Sequence, residues 1–162
     1  MTSSVPPRWT ACWKSRNLKS LCTSSVYIPG STSNGWNSMN WMEIISAHVM
    51  WKQRLTAYLA GTSQEELDPE TIKLDDRCAL GKWIYGDGKP MEVLPGYEEV
   101  RALHATFHQN AAQVVSLHLA GDTAGAAALL NGDYSRLSEK LKHRILGLSS
   151  QVKSAGSGIP RF

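Results

Sequence analysis

The chain has 162 residues, enough for one ordinary domain with a real core. No apolar run reaches the ~20 residues that span a bilayer. The net charge of +3 sits at the start: residues 1–40 hold Arg8, Lys14, Arg16 and Lys19 and no acid, leaving 13 basic against 14 acidic residues beyond them. There is no basic patch that would argue for nucleic acid. Cys12 and Cys22 lie in that start, so Cys78 is the one cysteine of the rest. A single cysteine makes no internal disulfide, which points to a reducing, cytoplasmic setting and to a ligand or reactive thiol.

Residues 1–38 show no sustained period of 2 or 3.6 and are rich in Ser, Thr, Pro and Gly. They read as a disordered segment. Helical periodicity begins abruptly at Met39, so the expectation is that they are translated upstream sequence from a mis-called start. A first helix is expected from Trp41 to Ala60, with Ile44, Ile45, His48, Trp51, Leu55, Tyr58 and Leu59 on one stripe. Gly61 suits the position past its end, where positive φ is needed. A second helix opens at Asp68-Pro69, an N-cap followed by a proline that needs no partner for an N–H, and runs to Tyr85. It would place Leu74, Cys78, Gly81 and Tyr85 on one face. Gly81 inside a helix costs ~1 kcal/mol against Ala, so a close backbone approach is expected there.

A third helix starts near Tyr97 with Val100, Leu103/His104, Phe107/His108, Ala111 and Val114/Val115 on its stripe, and ends at Gly121. A short alanine-rich helix covers about 123–130, a break or kink falls at Asn131-Gly132, and a last helix carries Leu137, Leu141, Ile145, Leu148 and Val152. Residues 154–162 read as a flexible tail. Nothing alternates with period 2. The expectation is an all-α antiparallel four-helix bundle over 39–153 with one short extra helix. Its long, wide stripes call for a second copy of the chain to cover them.

His104 and His108 stand one turn apart on the apolar stripe, so both rings face inward. Each buried imidazole needs partners for two nitrogens, and one metal serves both rings. His48 lies on the inward stripe of the first helix, and Cys78 on that of the second. They stand 13 and 10 residues from the connection at 61–68, a mismatch of about 5 Å in an antiparallel pair. All four can meet in one layer. The resulting His3Cys set suits Zn2+, one per protomer. Sulfur argues against Mg2+ and Ca2+, while copper and iron are not dismissed by affinity alone. Four protein ligands close the site, which argues against hydrolysis and for a non-enzyme. Asp75, three residues before Cys78, is the candidate to accept a ring N–H. Trp51, Gly81, Trp83 and Phe107 are the candidates to pack the site. His118, about 15 Å beyond His108, and His143, in the charged run "EKLKHR", do not join it.

The stretches "HVMWK" (48–52), "RCALGKWIYGDG" (77–88) and "LHATFH" (103–108) resemble the bacterial chemoreceptor zinc-binding, or CZB, domain family. The resemblance covers roughly residues 40–152. It implies a homodimeric helical bundle that binds one zinc through His48, Cys78, His104 and His108. It also implies a signalling partner protein, since such domains usually sit on soluble chemoreceptors or diguanylate cyclases and report zinc or oxidants. No methyl-accepting coiled coil and no cyclase segment lies within the 162 residues, so the expectation is a stand-alone member. A purely structural zinc module is the alternative. A hemerythrin-like di-iron protein is the other, and it lacks the further histidines and bridging carboxylates it would need.

Overall fold

The computed structural model describes residues 39–157, which are helical without a strand among them. Helix α1 (Trp41–Leu59) is opened by Asn40, whose side chain accepts the Glu43 N–H. It buries Ile44, Ile45, His48, Trp51 and Leu55 of the stripe expected from its 3.6-residue period, and Trp41 besides, while Tyr58 and Leu59 are half-buried. Gly61 closes it at φ +66°, a conformation that a side chain would strain. Helix α4 (Tyr97–Leu119) buries Val100, His104, Phe107, His108, Ala111, Val114 and Val115. Helix α6 (Ser135–Ser157) buries Leu141, Ile145, Leu148 and Val152 against the other two. It continues through the first four residues of the expected tail; residues 158–162 and the N-terminal segment 1–38 lie outside the described residues.

Side-chain contacts fix the direction of each leg. Along α1 and α4, Trp41 reaches Tyr97 through Trp83, His48 meets His104, and Tyr58 meets His118. These pairs climb both helices together, so α1 and α4 run parallel. On α6, Arg144 and Lys140 reach back to Glu99, and Gln151 accepts the Gly96 N–H at the base of α4. Helix α6 therefore runs antiparallel to α4. Its exposed ion pairs add little stability beside the buried Leu141 and Ile145.

The leg between α1 and α4 differs from expectation. It is not one helix from Asp68 to Tyr85. It is α2 (Pro69–Ile72), an irregular turn, then α3 (Ala79–Tyr85). Asp68 does cap α2, accepting the Glu70 N–H and the Thr71 hydroxyl. After the turn Cys78 becomes the N-cap of α3, its sulfur accepting the Gly81 N–H at 3.3 Å. Leu74 and Tyr85 consequently face outward rather than joining Cys78 on a buried stripe. The leg still descends along α4: the Ile72 carbonyl reaches His108, Cys78 reaches His104, and Trp83 reaches Tyr97. A 3₁₀ turn at Lys89–Met91 leads into α4.

Helix α5 (Thr123–Leu129), capped by Asp122, follows the turn at Gly121. The break expected at Asn131-Gly132 is a π turn over Leu130–Tyr134, which inserts Tyr134 fully into the core. Its ring packs 5.2 Å from that of Phe107, directly behind the histidines.

Candidate metal centre

His48, Cys78, His104 and His108 converge. One donor atom from each lies within 4.8 Å of the other three. Cys78 Sγ is 3.1 Å from His104 Nε2, which is 3.1 Å from His108 Nε2. Zn–N bonds of about 2.0–2.1 Å and a Zn–S bond of about 2.3 Å give tetrahedral edges of roughly 3.3 and 3.5 Å. The two short contacts fall within a few tenths of an ångström of that. His104 and His108 come from one rigid helix, His48 from α1, and Cys78 from the start of α3.

The hydrogen bonds behind the rings decide what the cluster can hold. His48 Nδ1 is 2.7 Å from the Ile44 carbonyl, and His108 Nδ1 is 2.7 Å from the Ile72 carbonyl. A carbonyl only accepts, so each Nδ1 carries the proton and each Nε2 presents a lone pair. All three rings are buried, His104 completely. Burial pushes the His48 pKa down to about 4 and, with the neighbouring rings, that of His104 to about 2; His108 moves the same way. The rings are therefore neutral at pH 7. Burial also raises the Cys78 thiol above its usual value, against the opposing pull of the Gly81 N–H. Inward lone pairs from neutral rings, crowded around one sulfur, leave a cation as the group that would satisfy them together.

Asp75 stands where it was expected, with a different contact. Its Oδ2 is 3.9 Å from His104 Nδ1, too far for a hydrogen bond, and accepts the Tyr85 hydroxyl at 2.6 Å instead. The close approach expected at Gly81 is made by the Asp75 carbonyl. Phe107 packs against both His48 and His108. Trp83 packs one layer below, between Trp41 and Tyr97. Trp51 is buried under the Arg54 guanidinium, which also forks onto Glu65 in the connection to α2. His118 meets Tyr58 edge-on, away from the cluster, and His143 is exposed. The two backbone carbonyls that fix the rings were not singled out from sequence. Ile44 is one turn before His48 and was readable from spacing; Ile72, 36 residues from His108, was not.

Residues 48–115 match the family model described as the chemoreceptor zinc-binding domain, CZB. No curated protein and no solved structure matches the chain. The matched span begins on the first of the four clustered residues and contains the other three. Over that span the chain is similar to the chemoreceptor zinc-binding domain family.

Proposed function

We propose that this chain is a zinc-binding regulatory domain without catalysis of its own, holding one Zn2+ on His48 Nε2, His104 Nε2, His108 Nε2 and Cys78 Sγ. The convergence of an N3S donor set with two ring tautomers locked by buried carbonyls carries the reading. When bound, the ion supplies a cross-link between α1, α4 and the descending leg, and holds Cys78 as thiolate. The family match over residues 48–115 supports zinc over iron or copper, and supports a homodimer in the cytoplasm that acts on a signalling partner. It also supports counting the descending leg as the fourth member of an antiparallel bundle.

The protonation states make this reading quantitative. The rings have no proton to lose between pH 7 and 8, and the thiol has one. Binding therefore releases one proton per ion, and affinity rises about tenfold per pH unit across that range. Zinc titration in weak buffer with a pH indicator reads the proton count, while light scattering on the same sample reads two chains. Stoichiometric iron in the purified protein, or no proton released, overturns the assignment.

The burial pattern supports oxidant sensing as the signal. The three histidines are buried, whereas Cys78 is only partly so and is the one donor within reach of a small oxidant. A thiolate and hypochlorous acid give sulfenic acid and chloride, the sulfur taking the hydroxyl. The oxidised sulfur is a poor ligand, and α3 loses both its tether and its cap. Hypochlorous acid added to the zinc-loaded protein is expected to free zinc, seen with a chromophoric chelator. If Cys78→Ser releases zinc along the same curve after correction for occupancy, Cys78 is not the switch.

A further inference from the structure

Outside the cluster, a line of side chains leads from His104 to the surface. His104 Nδ1 is buried and has no hydrogen-bond partner. The Asp75 Oδ2 acceptor stands 3.9 Å from it, just beyond hydrogen-bond reach. That carboxylate is partly exposed, and alone it would swing into water. It does not, because its Oδ2 accepts the Tyr85 hydroxyl at 2.6 Å. Arg101 in turn lies close enough to the Tyr85 side chain to interact with it electrostatically, and forks onto Glu98, with Nε 2.8 Å from Oε2.

The placement of these residues gives the line a purpose. Tyr85 ends α3, the helix that Cys78 begins, and Arg101 lies one turn before His104 on α4. The line therefore joins the cysteine's helix to the histidine's helix by a route that bypasses the ion. We infer that Tyr85 is a positioning residue for the metal centre, holding the Asp75 carboxylate against His104 Nδ1 so that this ring presents Nε2 to the ion. A small closure of the Asp75 turn completes the Nδ1–H to Oδ2 bond. Such a partner orients the ring and raises its basicity, and its loss typically lowers metal affinity about 10–100-fold. This inference rests on the reading of the cluster as a zinc centre.

The test is a double-substitution cycle on the full chain, read by zinc affinity against a competing chelator. Tyr85→Phe keeps the ring and removes the hydroxyl, and is expected to weaken zinc binding about tenfold. Asp75→Asn should weaken it by a similar factor, and the pair together by no more than the larger single loss. A structural role alone would not touch the His104 Nδ1–H resonance. In zinc-loaded protein that proton should be visible and slow to exchange in wild type, and lost in Tyr85→Phe. Arg101→Gln, which leaves Tyr85 in place without its support, should give a smaller loss and carries the test should Tyr85→Phe not fold. Unchanged affinity and resonance in Tyr85→Phe, or losses that add, overturn the inference while leaving the zinc centre standing. A wild-type chain that takes up no zinc overturns both.

Discussion

Stripping the metal with a chelator is expected to lower the unfolding midpoint by roughly 15 °C and to leave an acid-labile protein. The first figure follows from mass action. An ion held at about a thousand times its dissociation constant stabilises the folded state by about 4 kcal/mol, and a domain of this size shifts about 4 °C per kcal/mol. The acid lability follows from the rings. His48 titrates at about 4 and His104 at about 2 in the folded chain, and His108 is lowered too, against about 6.5 unfolded. Between those values the unfolded chain binds more protons than the folded one, so stability falls as pH drops below 6.5. His48 and His104 each contribute up to about 1.4 kcal/mol per pH unit, or about 2 kcal/mol at pH 5, and His108 acts in the same direction. Cys78 acts at the other end: its raised pKa keeps a stabilising contribution below about 9 that is lost as pH climbs through the folded value. Urea midpoints of chelated protein at pH 7 and pH 5 read the acid limb. Equal midpoints would show that the rings are not buried neutral, and a shallower limb in His104→Gln would tie the effect to the cluster.

The parts of this molecule that followed from sequence are those governed by local periodicity. The stripes of α1, α4 and α6 repeat every 3.6 residues, and each buries most of the residues that the period selects, leaving Tyr58, Leu59, Leu103 and Leu137 half-buried. His104 and His108 share a helix, so their mutual geometry was fixed by spacing alone. The descending leg was misread because its break is tertiary in origin. Residues 69–85 look helical throughout, yet Cys78 leaves the helix to cap α3, and the Asp75 carbonyl folds over Gly81. The grouping of four ligands survived because it depended on which leg carries Cys78 and roughly how far down, not on an unbroken helix. Asp75 and Asp76 in mid-segment were the available signal. Aspartate competes for its own backbone and favours caps and turns over helix interiors. The Tyr85–Asp75 contact was out of reach, since on a continuous helix the two would lie ten residues apart.

Gly81→Ala should undo the cysteine's placement, and the same change at Gly147 should do the opposite. On helix propensity alone, alanine in place of glycine gains up to about 1 kcal/mol. At Gly147, exposed on α6 with nothing within 4 Å of a new methyl, that gain should appear in full. At Gly81 the methyl would stand 1.7 Å from the Asp75 carbonyl oxygen and 2.9 Å from Asp76 Cα. Contacts under 3.0 Å force something to move, and here the obstacle is backbone. The Asp75 carbonyl must withdraw by more than 1 Å. Overpacking of this kind costs about 1–3 kcal/mol, which outweighs the propensity gain. The segment that moves carries the Asp75 carboxylate beside His104 and leads directly into Cys78, while the Gly81 N–H loses its line to the sulfur. Zinc affinity in Gly81→Ala should therefore fall at least about tenfold, as for other losses of ligand support. Its metal-free unfolding midpoint should also fall, while that of Gly147→Ala rises. Chelator competition and urea unfolding on the two variants read both quantities. Wild-type zinc affinity in Gly81→Ala would mean that the Asp75 turn can open without disturbing Cys78, and that the cysteine is held by the ion rather than by the chain around it.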